Sequence, residues 1–229
     1  MSDKKRGKLI VIEGTDCSGK ETQANRLVER LKSEGVPVYK DCFPKYETPT
    51  GRIVGGPVIG KSHICPSYFG EDAPSASGKV ISLYYAADRL YNIGPIKEAL
   101  SNGIHVILDR YTQSNMGFQA AKFENFKERK EMFDYIEKLE FELLELPKPD
   151  EIIFLYMPYE YACELKSKRL ESADEVEKCE KYLKDAERTY LELSDIYNYK
   201  KIDCVKDNRV RTIEDIGEEL YQKVKEMIS

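Results

Sequence analysis

An α/β fold of about five parallel strands with helices on both faces is what this sequence predicts. Three observations lead there. Short apolar runs such as Leu9-Ile10-Val11-Ile12 and Glu151-Ile152-Ile153-Phe154-Leu155-Tyr156 alternate with stretches of helical period. The first of them continues as strand, helix and strand, the unit from which parallel sheets are built. No internal repeat or linker-like composition shift interrupts residues 1–229, so the chain reads as one domain.

The elements follow in order. After the first strand, Gln23 to Glu34 places Leu27, Val28 and Leu31 on one stripe, closed by Gly35. Val36-Pro37-Val38-Tyr39 is a second strand, leading into Phe43-Pro44-Lys45 at its carboxyl end, where ligands of such sheets gather. Residues 48–77 are rich in Gly, Pro and Ser and read as irregular, apart from a short helix after Gly51-Arg52. Ser77 to Ser101 reads as a long helix bent near Gly94-Pro95, and His105–Asp109 as the third strand, with His105 structural rather than catalytic. Helices over Gln113–Ala121 and Phe126–Leu146 precede the fourth strand at Glu151–Tyr156. Tyr159–Leu170 and Glu175–Leu193 are helical, Tyr199–Cys204 is a short last strand, and Ile213–Ile228 a final amphipathic helix.

Composition narrows the function. A net charge of −5 argues against a general nucleic-acid binder, so phosphate affinity has to come from local cations. No apolar run approaches the roughly 18–20 residues that span a bilayer, and Met1-Ser2-Asp3-Lys4-Lys5-Arg6 has no apolar stretch of signal-peptide length behind it. The 6 cysteines form no C-x-x-C pair, which reads as reduced thiols in a cytoplasmic protein. Cys17 falls inside the loop described next, as a small filler or a redox-sensitive thiol.

The chemistry starts at Gly14-Thr15-Asp16-Cys17-Ser18-Gly19-Lys20-Glu21-Thr22, a G-x-x-x-x-G-K pattern between a strand and a helix. Glycines let the backbone N–H groups turn inward onto phosphate oxygens, the helix adds its positive end, and Lys20 adds a full charge. The residue after the lysine is ordinarily Ser or Thr, a magnesium ligand; here it is Glu21. Glu21 reads either as a hard-oxygen magnesium ligand or as a carboxylate favoured at a helix N-terminus, with Thr22 or water serving the metal. Asp109, ending an apolar strand, is the natural second magnesium carboxylate, and Arg110 after it a clamp for polyanions. Tyr85 and Arg89 lie one turn apart on a helix, so ring and guanidinium share a face. Lys166, Lys168 and Arg169 are a cation cluster, either a solvated face or part of a lid at about 159–175 closing over a triphosphate.

Taken together these motifs resemble the thymidylate kinases, from about Lys8 to the C-terminus. The match rests on Glu-Gly-x-Asp-x-x-Gly-Lys-x-Thr-Gln at 13–23, Phe43-Pro44, Ala86-Ala87-Asp88-Arg89, Asp109-Arg110-Tyr111-x-x-Ser114 and Phe118-Gln119. The resemblance implies a three-layer P-loop NTPase fold with a small helical lid. It also implies magnesium-dependent transfer of the ATP γ-phosphoryl group to thymidine monophosphate, on the way to dTTP, by a cytosolic homodimer. By position, Tyr85 would stack on the base, Arg89 recognise its edge, and Phe118 and Gln119 line the nucleoside pocket, with Phe43, Pro44, Lys45 and Ser114 completing the acceptor side. Arg110 would contact both the acceptor phosphate and the transferring group, and Asp16 the acceptor sugar or a magnesium-bound water. With no arginine in the loop, the catalytic one would sit in the lid, at Arg169 or Lys168. The family's usual arginine two residues after Phe-Pro is Tyr46 here, leaving Lys45 or Arg52 as its substitute. Two alternatives stand beside this reading: a P-loop kinase for another nucleoside monophosphate or deoxynucleoside, and a nucleotide-binding regulator without turnover.

Overall fold

The computed structural model describes residues 5–69, 76–166 and 180–228. Its centre is a parallel five-stranded sheet ordered β2-β3-β1-β4-β5, made of β1 (Leu9–Gly14), β2 (Val38–Cys42), β3 (His105–Asp109), β4 (Glu151–Tyr156) and β5 (Lys200–Asp203). Residues of β1 alternate between two helical layers, as the period of a strand requires. Ile10 and Ile12 pack with Leu27, Val28 and Leu31 of α1 (Lys20–Ser33) and with Leu220 and Val224 of α9 (Ile213–Ile228). Leu9 and Val11 pack with Ile96 and Leu100 of α4 (Gly94–Ser101). Glu13 continues this second parity and is fully buried. Beyond it lies a cluster formed by Phe154 of β4, Phe133 and Ile136 of α6 (Phe126–Glu137), and Tyr190 and Leu193 of α8 (Glu180–Ile196).

Because β1 is flanked by β3 and β4, three strand ends converge on the loop after Gly14. The Thr15 hydroxyl fastens that loop to the end of β4, donating to Met157 O at 2.6 Å and accepting Met157 N–H at 2.8 Å. Asp150 ties the other end of the sheet together, accepting from Leu9 N–H and Arg6. His105 Nδ1 accepts Lys8 N–H at 3.1 Å, the structural role its position suggests.

Several boundaries differ from the periodicity. The stretch from 48 holds α2 (Pro49–Ile53), which begins before Gly51 because Thr48 caps it, its hydroxyl accepting Gly51 N–H. A π-helical turn, Val54–Val58, follows directly. The long helix resolves into α3 (Gly78–Asn92) and α4, broken at Ile93 because Pro95 supplies no N–H for continuation. Next come α5 (Thr112–Ala120) and α6, which passes into a second π-helical stretch, Lys138–Leu143, where a single α-helix to Leu146 is the sequence expectation. α7 (Tyr159–Lys166) leaves β4, and a hairpin of β6 (Val205–Lys206) and β7 (Arg209–Val210), not anticipated as strands, follows β5. Lys168 and Arg169, with most of the expected lid, lie outside the described residues.

Candidate functional site

The loop after β1 is shaped by two glycines. Gly19 has φ 75°, a left-handed conformation that suits glycine. A Cβ on Gly14 would stand 2.5 Å from Ser18 Oγ and 2.6 Å from Leu155 O, so the chain passes β4 there only without a side chain. Lys20 opens α1 and is nearly buried, its ammonium donating to Gly14 O and Thr15 O, both at 3.0 Å. Burial, and after it the Arg110 charge, push its pKa down to about 8, against the pull of Asp16, Asp109 and Glu13. Cys17 (φ 57°) and Ser18 complete the curl, and Ser18 Oγ is buried without a hydrogen-bond partner among the described residues. Glu21 and Thr22 are exposed in the first turn of α1. Cys204 Sγ, just past β5, lies 3.9 Å from Ser18 O, so the β6–β7 hairpin starts beside the loop.

A cavity of 240 Å³ adjoins the loop at Asp16. Most of the expected acceptor residues line it: Phe43, Pro44, Tyr85, Arg89, Arg110, Ser114, Phe118 and Gln119. Tyr85 and Arg89 do share its wall from one face of α3. Lys45 does not line it: its ammonium pairs with Asp41 at 2.6 Å. Neither does Arg52, which is exposed on α2, whereas Tyr46 and Lys61 do, the Lys61 ammonium standing 4.9 Å over the Tyr46 ring. Lys122 lines the far side; burial lowers its pKa to about 8, and its ammonium donates to Ala76 O at 2.6 Å.

Arg89 is fixed by a group that its motif gives no hint of. Glu140, fully buried in the second π-helical stretch, receives Arg89 Nε at 2.5 Å and Nη2 at 2.6 Å, plus Thr112 Oγ1 and Asn115 Nδ2, both at 2.9 Å. Burial opposes the Arg89 charge, and Glu140 more than restores it, leaving the pKa raised. Asn115 Oδ1 and Gln119 Oε1 are buried acceptors on the cavity wall, without partners among the described residues. Such groups call for a donor, which the N–H edge of a base supplies. Asp88 is structural: its carboxylate accepts from Lys45 N–H, Thr50 Oγ1 and Asn92 Nδ2 and thereby holds the Phe43–Thr50 segment on α3.

Arg110 stands where cavity and loop meet, with φ 65°. Burial works against its charge, but the carboxylates of Glu13, Asp109 and Asp16 hold the proton more firmly than usual. Its guanidinium lies 5.7 Å over Phe118, and Nη1 donates to Ser114 Oγ at 3.2 Å. Two cations, Lys20 and Arg110, and two carboxylates, Asp16 and Asp109, thus sit within electrostatic reach of one another between a phosphate-type loop and a base-sized cavity. Glu13 lies in the loop motif, where nothing in the pattern gives it a role. Glu140, Asn115, Lys122 and Tyr190 had no local signal at all.

Known proteins fit the same picture. The family profile described as thymidylate kinase matches residues 12–215. The thymidylate kinase of Plasmodium falciparum is 31% identical over 222 residues, covering 97% of this chain and 91% of its own. That of Schizosaccharomyces pombe is 31% identical over 192 residues, 84% of this chain and 81% of its own. A solved thymidylate kinase structure from Candida albicans shares the fold, with a TM-score of 0.71 over 96% of this chain and 92% of that one at 24% identity. Matched by the family profile across most of its length and by relatives of this identity from end to end, the chain belongs to the thymidylate kinase family.

Proposed function

We propose that this chain transfers the γ-phosphoryl group of ATP to thymidine 5'-monophosphate, giving the diphosphate, with residues 1–229 acting as one kinase domain. The observation that carries the assignment of roles is the juxtaposition of Lys20 and Arg110, with Asp16 beside them, at the junction of the Gly14–Thr22 loop and the cavity. The loop N–H groups and Lys20 hold the ATP phosphates. Tyr85, Arg89, Asn115, Phe118 and Gln119 hold the acceptor base and sugar, and Phe43, Pro44 and Ser114 the wall beside its phosphate. Arg110 spans acceptor phosphate and transferring group. The attacking phosphate oxygen is already ionised at neutral pH, so positioning and charge neutralisation account for catalysis. Arg169, or Lys168, is the lid cation in this scheme.

Magnesium fits the donors present. Among the described residues no cluster of three or more His, Cys, Asp or Glu could cage a metal alone. Mg²⁺ needs only one or two carboxylates when phosphates and waters complete its shell, and Asp109 and Asp16 stand near Lys20. Asp109 would hold it, with Glu21 from the first turn of α1; when bound, it neutralises and orients the phosphates. Glu21→Ala should raise the magnesium concentration needed for half-maximal rate; an unchanged titration would leave Glu21 as a helix-end carboxylate.

We also propose a homodimer through the outward stripe of α3, where Val80, Leu83, Tyr84, Leu90 and Tyr91 are exposed at helical spacing. A stripe of this kind on one helix can cover itself against the same stripe of a second copy in a self-complementary contact.

The test is a coupled assay offering thymidylate, deoxyuridylate, deoxycytidylate and thymidine separately. Steady ADP formation is expected with thymidylate and not without an acceptor. Lys20→Ala and Arg110→Ala should each lower turnover by about 10²–10³-fold; near-normal turnover in either would remove it from the scheme.

A further inference from the structure

β1 carries a carboxylate on its core-facing side. Glu13 is 0% exposed, on a strand that is otherwise wholly apolar before Gly14. A carboxylate so placed needs donors from every direction, and three reach it: Tyr111 N–H at 2.9 Å, the Ser114 hydroxyl at 2.8 Å and the Tyr190 hydroxyl at 3.2 Å. Ser114 Oγ also accepts Arg110 Nη1 at 3.2 Å and lies 3.1 Å from Tyr190 OH. The phenol, the carboxylate and the serine therefore form one buried chain that ends on the guanidinium of Arg110. Arg110 needs such support, because a non-glycine residue at φ 65° is held only by its surroundings.

Tyr190 itself is fixed on every side. Glu13 and Phe154 are paired positions on β1 and β4. The Tyr190 ring stacks on Phe154, with centroids 5.6 Å apart and planes 8° apart, and meets Phe118 edge-on at 5.9 Å. Gly117 of α5 admits the ring, since a Cβ there would stand 2.8 Å from it. Burial, reinforced by the Glu13 carboxylate, keeps the phenol protonated and therefore a donor. The same helix, α8, carries Tyr182, whose hydroxyl donates to Phe118 O at 2.6 Å on the cavity wall. It also carries Glu187, which accepts Tyr156 OH at 2.7 Å and Tyr159 N–H at 3.3 Å where α7 begins.

We propose that Tyr190 is a positioning residue for phosphoryl transfer: its hydroxyl, acting through Glu13 and Ser114, holds the Arg110 guanidinium in the orientation that meets the transferring group. This rests on the role given to Arg110 above. The phenol makes no contact with the reacting atoms, so its loss is felt through Arg110 and not through substrate affinity. The α8 contacts give the consequence its shape: a shift of this helix changes the Arg110 support, the cavity wall at Phe118 and the start of α7 together.

The test is Tyr190→Phe, which keeps the ring and its stacking and removes only the hydroxyl. Turnover should fall about 10–100-fold, by analogy with the hydrogen-bond partners behind metal-ligating side chains, with the KM for ATP and thymidylate each within about threefold of wild type. Tyr190→Phe combined with Arg110→Ala should be no slower than Arg110→Ala alone, because residues acting as a unit are non-additive. A readout independent of substrate is the Arg110 side-chain Nε–Hε resonance, assigned by its disappearance in Arg110→Lys, which should shift or broaden in Tyr190→Phe. Glu13→Gln alters the middle of the chain without touching the aromatic packing or any cavity-lining residue, and carries the same two readouts if Tyr190→Phe does not fold. Wild-type turnover with an unmoved Arg110 signal, or fully additive losses in the double variant, overturns the proposal. A wild-type chain inactive on thymidylate would overturn the substrate assignment instead, and the Arg110 resonance would still decide this one.

Discussion

Arg89 and Glu140 are 2% and 0% exposed and pair their opposite charges out of water, with Thr112 and Asn115 adding neutral donors to the carboxylate. Losing one partner of such a pair leaves the other buried and unmatched, which costs far more than the pair contributes. Glu140→Ala is therefore expected to destabilise the protein by about 3–5 kcal/mol, read as a lower denaturant midpoint, and Arg89→Met in the same chain should recover part of that loss. A Glu140→Ala protein as stable as wild type would mean that water reaches the guanidinium. Lys122 follows the opposite logic, being a cation whose burial has no carboxylate behind it among the described residues. Its pKa falls from the ordinary 10.5 to about 8, so between those values the unfolded chain binds the extra proton. Stability from this residue therefore rises with pH from about 8 towards 10.5 and carries its full penalty below 8. Lys122→Met should accordingly be more stable than wild type at pH 7, with the advantage shrinking by pH 10; thermal melts at the two pH values check it, and an advantage that does not change with pH would show the ammonium to be well solvated.

At the scale of elements, the loop between β1 and α1 depends on what it lacks. Gly19→Ala places a Cβ on a backbone at φ 75° with nothing within 4 Å of it, so the cost is conformational, about 1 kcal/mol. Gly14→Ala must push against Ser18 Oγ and Leu155 O, so it displaces the loop. ATP affinity, measured by calorimetry, should fall for Gly14→Ala; an unchanged affinity would mean the loop tolerates displacement. These elements were legible because each obeys a local rule: strand period, glycine placement, a lysine at a helix start. α9 was legible down to its ends for the same reason, as an isolated amphipathic period. The π-helical stretches were not: Val54-Gly55-Gly56-Pro57-Val58 is made of helix breakers and reads as irregular chain, Lys138–Leu143 has ordinary helical composition, and in both the extra residue per turn answers to tertiary contacts. The site divides in the same way. Asp16, Lys20, Arg110 and Phe118 sit in short motifs, whereas Glu140 meets Arg89 across 51 residues and Tyr190 meets Glu13 across 177, so no sequence spacing announces either pair.

At the scale of the whole molecule, α3 has two occupations. Its inner face gives Ile81, Tyr85 and Arg89 to the cavity, while its outer face leaves Val80 at 44%, Leu83 at 49%, Leu90 at 43% and Tyr91 at 63% exposed. A 15-residue helix is about 22 Å long, enough to lie against its symmetry mate and bury this stripe in a self-complementary contact. Such a contact would restrain the helix that carries the base-binding side chains, so association and acceptor binding are expected to be coupled. Leu83→Glu with Leu90→Glu puts two charges into that contact while leaving the inner face untouched. Sedimentation velocity should then show the mass of one chain where wild type shows two, and the KM for thymidylate should rise more than that for ATP, because the loop that holds ATP lies on β1 and α1 rather than α3. A wild-type protein that sediments as a monomer at high concentration would remove the interface altogether. A monomeric variant with an unchanged thymidylate KM would keep the interface and remove the coupling, leaving α3 rigid through Asp88, Arg89 and their buried partners alone.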